Sequence, residues 1–376
     1  MAQTLVRYEW QQDWRAARPR SGVSLHSHTS CSLERLDFIP RCRQRCPWLA
    51  PLLERYERRY RRSLGCPLDY SAAWWTPPLG PREALRVESD QIERLGLRPL
   101  VSITDHDTIE APLALHLLSE VSRLPVSVEW TVPWRGTVFH LGVHNLPEPR
   151  ARGLMRQLAA FTASPRASDV EPLLDHLASH PEVLIVLNHP YWDEQQCGAH
   201  YHAAMAEQFL ARYRRWIHAL ELNGLRPWKE NRRVLDLAAR YRLPAVAGGD
   251  RHGCEPNALI NLSCAADFNT FVDEVRCRRE SSILVMKQYR EPLPARILAA
   301  VADAVGDRQQ GWSGVRWKDR VFFRDAGGRV RSLSECFAAG DEPFPIRLFV
   351  LLARVGGVPA VRHTVGWILA GGEEFA

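Results

Sequence analysis

Two histidines, His26 and His28, close the stretch Val23-Ser24-Leu25-His26-Ser27-His28. In a strand, alternate side chains share a face, so Ser24, His26 and His28 point one way and Val23 and Leu25 the other. Paired neutral imidazoles form half of a site for zinc, iron, copper or nickel. Alone, the pair reads equally well as two surface histidines. Repetition tips the balance. Further apolar runs lead into Thr104-Asp105-His106-Asp107, Glu129, His140, Asn188-His189-Pro190 and Gly248-Gly249-Asp250-Arg251-His252. His26, His28, His106, Glu129, His140, His189, Asp250 and His252 then give more donors than one ion can use. A carboxylate between two histidine sets can bridge two ions about 3.5–4 Å apart, and water held between such ions becomes hydroxide near neutral pH. That chemistry suits hydrolysis of a phosphate ester, because the ions neutralise the phosphate and furnish the nucleophile.

The elements that carry these groups follow from periodicity. Buried-looking strands are expected at Leu100–Ile103, Pro125–Val128, Thr137–Phe139, Val183–Leu187, Ile217–Leu220, Leu243–Ala247 and Ser282–Met286. Helical patterns lie between them, near 109–124, 148–163, 169–180, 203–217, 228–241 and 267–279. Strands alternating with helices imply a parallel sheet, and six or seven such units fit a closed barrel with its catalytic groups at the strand C-termini. Residues 1–20 read as a polar lead-in. Residues 33–95 read as an insertion or lid: a basic helix from Trp48 to Arg62, then a loop imposed by Pro77, Pro78 and Pro81. Residues 291–376 lose the alternation. There, Trp312–Phe323 suggests a small irregular or hairpin element, and Phe344–Leu369 suggests two helices around Gly356-Gly357. Arg347, Arg354 and Arg362 interrupt that apolar stretch and argue for packing on the barrel rather than membrane insertion.

The chain has 376 residues, 45% apolar and 24% charged, with net charge +6. It is long enough to bury a core without staples. Only Lys229, Lys287 and Lys318 are lysines, so 46 of the 49 basic residues are arginine, which favours bidentate contact with phosphate. Nine cysteines are scattered, Cys42 and Cys46 have no second pair at matching spacing, and no signal-peptide core or membrane-length apolar run is present. A cytoplasmic location is the expectation.

Taken together, these motifs resemble the polymerase-and-histidinol-phosphatase (PHP) family of metal-dependent phosphoesterases. They are Leu-His26-Ser-His28-Thr, Ile-Thr-Asp-His106-Asp-Thr, Val-Glu129, Phe-His140-Leu-Gly, Asn-His189-Pro and Gly-Gly-Asp250-Arg-His252, in the family's order over about residues 22–290. The resemblance implies an α/β fold: a distorted (βα)7 TIM-like barrel over 1–290, with the insertion at 33–95 after the first strand and a C-terminal extension over 291–376. It implies two or three divalent ions (Zn, Mn or Fe). His26, His28, Glu129 and Asp250 would hold the first, Glu129 would bridge to a second on His140 and His189, and His106 and His252 would hold a third. One departure stands out. Where small phosphatases of the family carry a third-metal aspartate, this chain has Ser32-Leu33-Glu34, so Glu34 or Asp37 would have to reach in.

The function expected is hydrolysis of a phosphomonoester by a metal-bound hydroxide, with Arg251 gripping the phosphate and His252 or His106 protonating the leaving group if not ligated. Substrates would be small phosphorylated molecules, nucleotides or single-stranded nucleic acid among them. Trp130, Trp134, Tyr191 and Trp192 adjoin the donors and could stack on a base, although packing is the commoner fate. Asp105 and Asp107 are expected to orient imidazoles, Glu221 to make a structural hydrogen bond, and His144 to be packed or exposed. Two rivals are a non-catalytic metal-binding module and a hydrolase of a non-phosphate bond. The scarcity of lysines, and so of a carboxylated lysine, weighs against the second. No oligomeric state follows from the sequence.

Overall fold

A computed structural model describes residues 3–45, 50–118, 124–307, 316–325, 327–336 and 344–369. Cys46, Trp48 and Trp312 lie outside the described residues, as does the end of the helix expected near 109–124. Fourteen strands are described: β1 (Gln3–Tyr8), β2 (Ser21–Ser24), β3 (Glu34–Arg35), β4 (Ala73–Trp75), β5 (Arg98–Val101), β6 (Val126–Trp134), β7 (Thr137–Leu146), β8 (Leu184–Asn188), β9 (Ala219–Asn223), β10 (Ala245–Gly248), β11 (Leu259–Ser263), β12 (Glu280–Val285), β13 (Val321–Arg324) and β14 (Val330–Ser332).

The architecture is mixed α/β. Two five-stranded sheets run in the orders β1-β12-β11-β2-β5 and β10-β9-β8-β7-β6. No ladder among the described residues joins them into a closed seven-stranded barrel; isolated bridges link His106 to Glu129 and Ser27 to Arg251. Nor are the sheets wholly parallel. β8, β9 and β10 pair in parallel, as do β2 with β5 and β1 with β12, but β6–β7, β7–β8, β2–β11 and β11–β12 are antiparallel. The β6–β7 hairpin turns on Arg135 and Gly136, both at positive φ (49° and 76°), the backbone that a tight two-residue hairpin needs. The lead-in of residues 1–20 holds an edge strand, β1, and β11 was not anticipated.

Between the sheets, Val23 and Leu25 pack with Leu184, Val186, Ala219 and Val246, and Phe268 and Phe271 complete that cluster. Each buried aliphatic side chain there contributes about 1.5–3 kcal/mol. Helix α1 (Ala50–Leu64) exposes Arg55, Arg58, Arg61 and Arg62, and buries Tyr56 and Tyr60. Helix α2 (Pro81–Arg94) is the crossover between parallel strands β2 and β5, so the break in alternation after β2 spans 33–80 rather than 33–95. Its Ile92 packs so close over Gly22 that a Cβ there would lie 2.8 Å away. The remaining helices used below are α3 (Ala199–Tyr213), α4 (Leu293–Ala304), α5 (Phe344–Gly356) and α6 (Pro359–Leu369).

A third sheet, β14-β13-β4-β3, joins the C-terminal segment to the stretch after β2. No single described helix is long and apolar enough to cross a membrane. Ile346–Gly356 and Pro359–Val365 are apolar enough only as a pair, and they are bent by 92°.

Candidate metal centre

The His26–His28 arm leaves β2 between two other arms. Thr104 N–H donates to the Ser27 carbonyl on one side; Asp250 N–H donates to the His26 carbonyl on the other, and His28 N–H to that of Arg251. Asp105 ties the arm down, since its carboxylate accepts from both the Thr29 amide (2.5 Å) and the Thr29 hydroxyl (2.7 Å). Burial pushes the Asp105 carboxyl up to about 7. Asp105 and Asp107 therefore brace backbone rather than imidazoles; Asp107 accepts from Thr131 N–H at 2.9 Å.

All eight expected donors converge. Glu129, fully buried, is the hub. Its Oε2 lies 2.8 Å from His26 Nε2, 3.3 Å from His28 Nε2 and 3.2 Å from His106 Nε2. Its Oε1 lies 3.1 Å from His189 Nε2 and 3.7 Å from His140 Nδ1, and accepts from Asn188 Nδ2. Asp250 Oδ1 lies 3.5 Å from His28 Nε2 and 3.4 Å from His252 Nδ1. His140 sits near the start of its strand, not the end. It still reaches the site because β7 runs opposite to β8, so its beginning lies where β8 finishes.

The doubtful position is filled. Glu34 Oε2 stands 3.2 Å from His252 Nε2 and 3.5 Å from His106 Nε2, and Glu34 Oε1 accepts from Ser32. Leu33 is exposed. Asp37 lines the cleft but is outside the convergent groups. Three of those groups have ligand atoms within 4.8 Å of one another: His28, Glu34, His106 and His252; His26, His28 and Glu129; His106, Glu129 and His140. Imidazoles and carboxylates packed this way, dry and aimed at a common centre, fit borderline or hard divalent ions.

Charge balance makes the same demand. Burial opposes ionisation of Glu129, yet His26, His106 and His140 hold it well below the usual carboxylate range. Burial likewise opposes a charge on His252, but Glu34 and Asp250 lift it to about 9. His106 is driven by burial down to about 3. Carboxylates this buried need cations close by, protonated imidazoles or metal ions.

Glu221 is the outer brace. Its Oε1 meets His26 Nδ1 at 2.5 Å; Oε2 accepts from the His189 amide at 2.9 Å and from Asn223 at 3.1 Å. His26 is thereby set with Nε2 toward Glu129. The glycines of Gly-Gly-Asp are explained by close approach: a Cβ on Gly248 would fall 1.6 Å from Glu221 Oε1, and one on Gly249 would fall 1.7 Å from Asn257 Oδ1.

Arg251 does not face the cleft. Its Nε donates to buried Glu88 on α2 at 2.6 Å, and its Nη1 to the Gly253 carbonyl, so the expected phosphate grip is replaced by a buried ion pair. Arg226 reaches the cleft instead. It lies 3.5 Å over the Trp192 ring and 3.9 Å from Asp250 Oδ2, and its Nε is buried without a hydrogen-bond partner. The available signal was position, since Arg226 follows the end of β9 by three residues. His144 is packed, hydrogen-bonded to Ser102 at 2.8 Å. Trp130 and Trp134 are core residues, while Tyr191 and Trp192 line the cleft.

That cleft holds about 1000 Å³. Its floor carries His106, His140, His189, Asp250 and His252; its walls include Arg35, Trp75, Trp192, Arg226, Ile297 and Val301.

No protein-family model matches the chain. No curated protein matches it. Among solved structures it is similar to PsfC from Pseudomonas syringae, at 19% identity and TM-score 0.37, over 55% of this chain and 83% of that one. A protein described as a metal-dependent phosphoesterase from Bifidobacterium adolescentis shares 17% identity at TM-score 0.33, over 54% and 92% of the two chains. An amidohydrolase from Chromobacterium violaceum shares 14% at 0.35, over 62% and 88%. Likeness at these scores carries no chemistry to this chain.

Proposed function

We propose that the chain is a metal-dependent phosphoesterase of the PHP type that hydrolyses a phosphomonoester. The observation that carries this reading is the Glu129 carboxylate, which turns one oxygen to His26, His28 and His106 and the other to His189 and His140. His26, His28, Glu129 and Asp250 would hold one divalent ion and His140, His189 and Glu129 a second. His106 and His252, joined by Glu34, would hold a third. Zinc, manganese and iron all suit the donors. Bound there, such ions supply Lewis acidity and a water of lowered pKa.

The chain's own residues do the rest. Arg226 and Arg35 place guanidinium groups on the cleft wall, within the space that phosphate oxygens would enter. His252, whose side chain is 19% exposed, is the cluster member placed to hand a proton to a leaving oxygen when it is not ligated. Trp75, Trp192, Ile297 and Val301 give the leaving group an apolar, partly aromatic wall, which suits a nucleotide better than a small polar alcohol. On this reading residues 1–290 carry the metal centre, and the enzyme works in the cytoplasm. A carboxylated-lysine hydrolase finds no support, because none of the three lysines lines the cleft.

The test is release of inorganic phosphate from an aryl phosphate and a nucleoside monophosphate panel, with and without chelator. Chelator-sensitive release, lost in His26→Ala and Glu129→Gln, is expected. Bound metal with no turnover of any phosphate ester would replace the phosphoesterase with the binding module or a hydrolase of another bond.

A further inference from the structure

The segment leaving β8 carries a donor set that the cluster around Glu129 does not use. Asp193, Cys197 and His202 offer a carboxylate oxygen, a thiol sulfur and a ring nitrogen, all within 4.8 Å of one another. The Cys197 sulfur lies 3.2 Å from Asp193 Oδ1. His202, in the first turns of α3, is 1% exposed. Its Nδ1 meets the Thr137 hydroxyl at 2.8 Å, and its Nε2 makes no well-aligned hydrogen bond, with only the Pro190 backbone beside the ring. A buried imidazole with one idle nitrogen is costly unless something else satisfies it.

The donor types narrow the occupant. One soft, one borderline and one hard donor together are a zinc set, and tetrahedral zinc with bonds of about 2.0–2.3 Å puts its ligands about 3.3–3.8 Å apart. Cys197 and Asp193 are already at about that spacing, and a His202 ring nitrogen lies within 4.8 Å of both. Asp193 and Cys197 are only half-buried, which leaves solvent access for a water as fourth ligand.

We propose that Asp193, Cys197 and His202 form a zinc site separate from the cluster around Glu129. On binding, the Cys197 S–H bond breaks and its proton leaves to solvent as the sulfur–zinc bond forms. Asp193 and His202 each donate a lone pair, and no electron is transferred. The ion would staple the 189–198 segment to α3. That segment delivers His189, Trp192 and Glu194 to the cleft, so the zinc would set the shape of one cleft wall.

The full-length protein, stripped by chelator and reloaded with cobalt(II), tests this. The cluster around Glu129 contains no cysteine, so a thiolate-to-cobalt charge-transfer band in the near ultraviolet reports this site alone. The band should be present in the wild type and lost in Cys197→Ser, with one equivalent of cobalt fewer per chain by elemental analysis and the other ions retained. Asp193→Asn, a milder change, should weaken cobalt binding at the band without altering the circular dichroism, and it serves if the serine variant fails to fold. No band in the wild type, a band that survives Cys197→Ser, or a cobalt titration unchanged in Asp193→Asn would overturn the site.

Discussion

Glu221→Gln probes the proposed centre without touching a proposed ligand. Glu221 is 2% exposed, and its carboxylate meets three groups that can all donate: His26 Nδ1, the His189 amide and Asn223 Nδ2. A carboxylate can accept from all three; an amide cannot, because its NH2 must replace one oxygen. If the NH2 turns toward His26, Nδ1 must become the acceptor and the proton moves to Nε2. That nitrogen faces Glu129 Oε2 at 2.8 Å and has to be bare to bind an ion. If the NH2 turns the other way, two buried donors lose their acceptor, at about 1–3 kcal/mol each. The first route is the cheaper, and removal of such a partner weakens metal binding about 10- to 100-fold, or about 1.4–2.7 kcal/mol. The assay is competition for zinc against a chromophoric chelator at neutral pH, with circular dichroism as the fold control. Unchanged affinity in a folded variant would refute the claim that Glu221 fixes the His26 tautomer.

Glu34→Ala should remove one equivalent of metal and leave the ions at Glu129 in place, since Glu34 contacts only His28, His106 and His252 among the donors; elemental analysis decides. Arg226→Ala should raise KM for a phosphomonoester about 10- to 100-fold, the worth of a hydrogen bond to a charged group, whereas Arg251→Ala should act on stability through Glu88. His218, away from the cleft, accepts the Ile185 amide, and burial plus Arg276 and Arg279 push it down to about 3. Its folded value lies below its unfolded one of 6.5, so the unfolded chain takes up the proton first. Stability should fall as pH drops from about 6.5 toward 3, by up to about 1.4 kcal/mol per pH unit. His218→Asn keeps an acceptor and should flatten that dependence in urea titrations.

The donors were legible because each follows or opens an apolar run, and Trp228–Tyr241 was legible because its 3.6-residue stripe is clean. What stayed hidden depends on partners far away in the sequence. Arg251 looks like a phosphate ligand until Glu88, 163 residues earlier, is placed beside it. Strand direction is hidden for a similar reason. An apolar run fixes a buried strand but not its sense, and only the Arg135-Gly136 turn shows that β7 reverses. Glu34 was legible only as one of two candidates, beside Asp37, after the His-x-His pair, because the two-residue strand it sits in is too short for periodicity to single it out.

The third sheet has a consequence in time. β4 pairs with β13 through Trp75 and Val321, 246 positions apart. Closing a loop of that length costs about 5 kcal/mol of chain entropy before any contact offsets it. On a ribosome working from the N-terminus, Val285 at the end of β12 completes the sheet behind the donors, and β13 is finished 39 residues later at Arg324. At about 5–20 residues per second that interval lasts about 2–8 s. Through it every donor from His26 to His252 has been synthesised, while the strand that holds Trp75 over the cleft has not. Nascent chains therefore pass through a stage in which ions can reach the cluster from open solvent, before the wall that later screens it is in place.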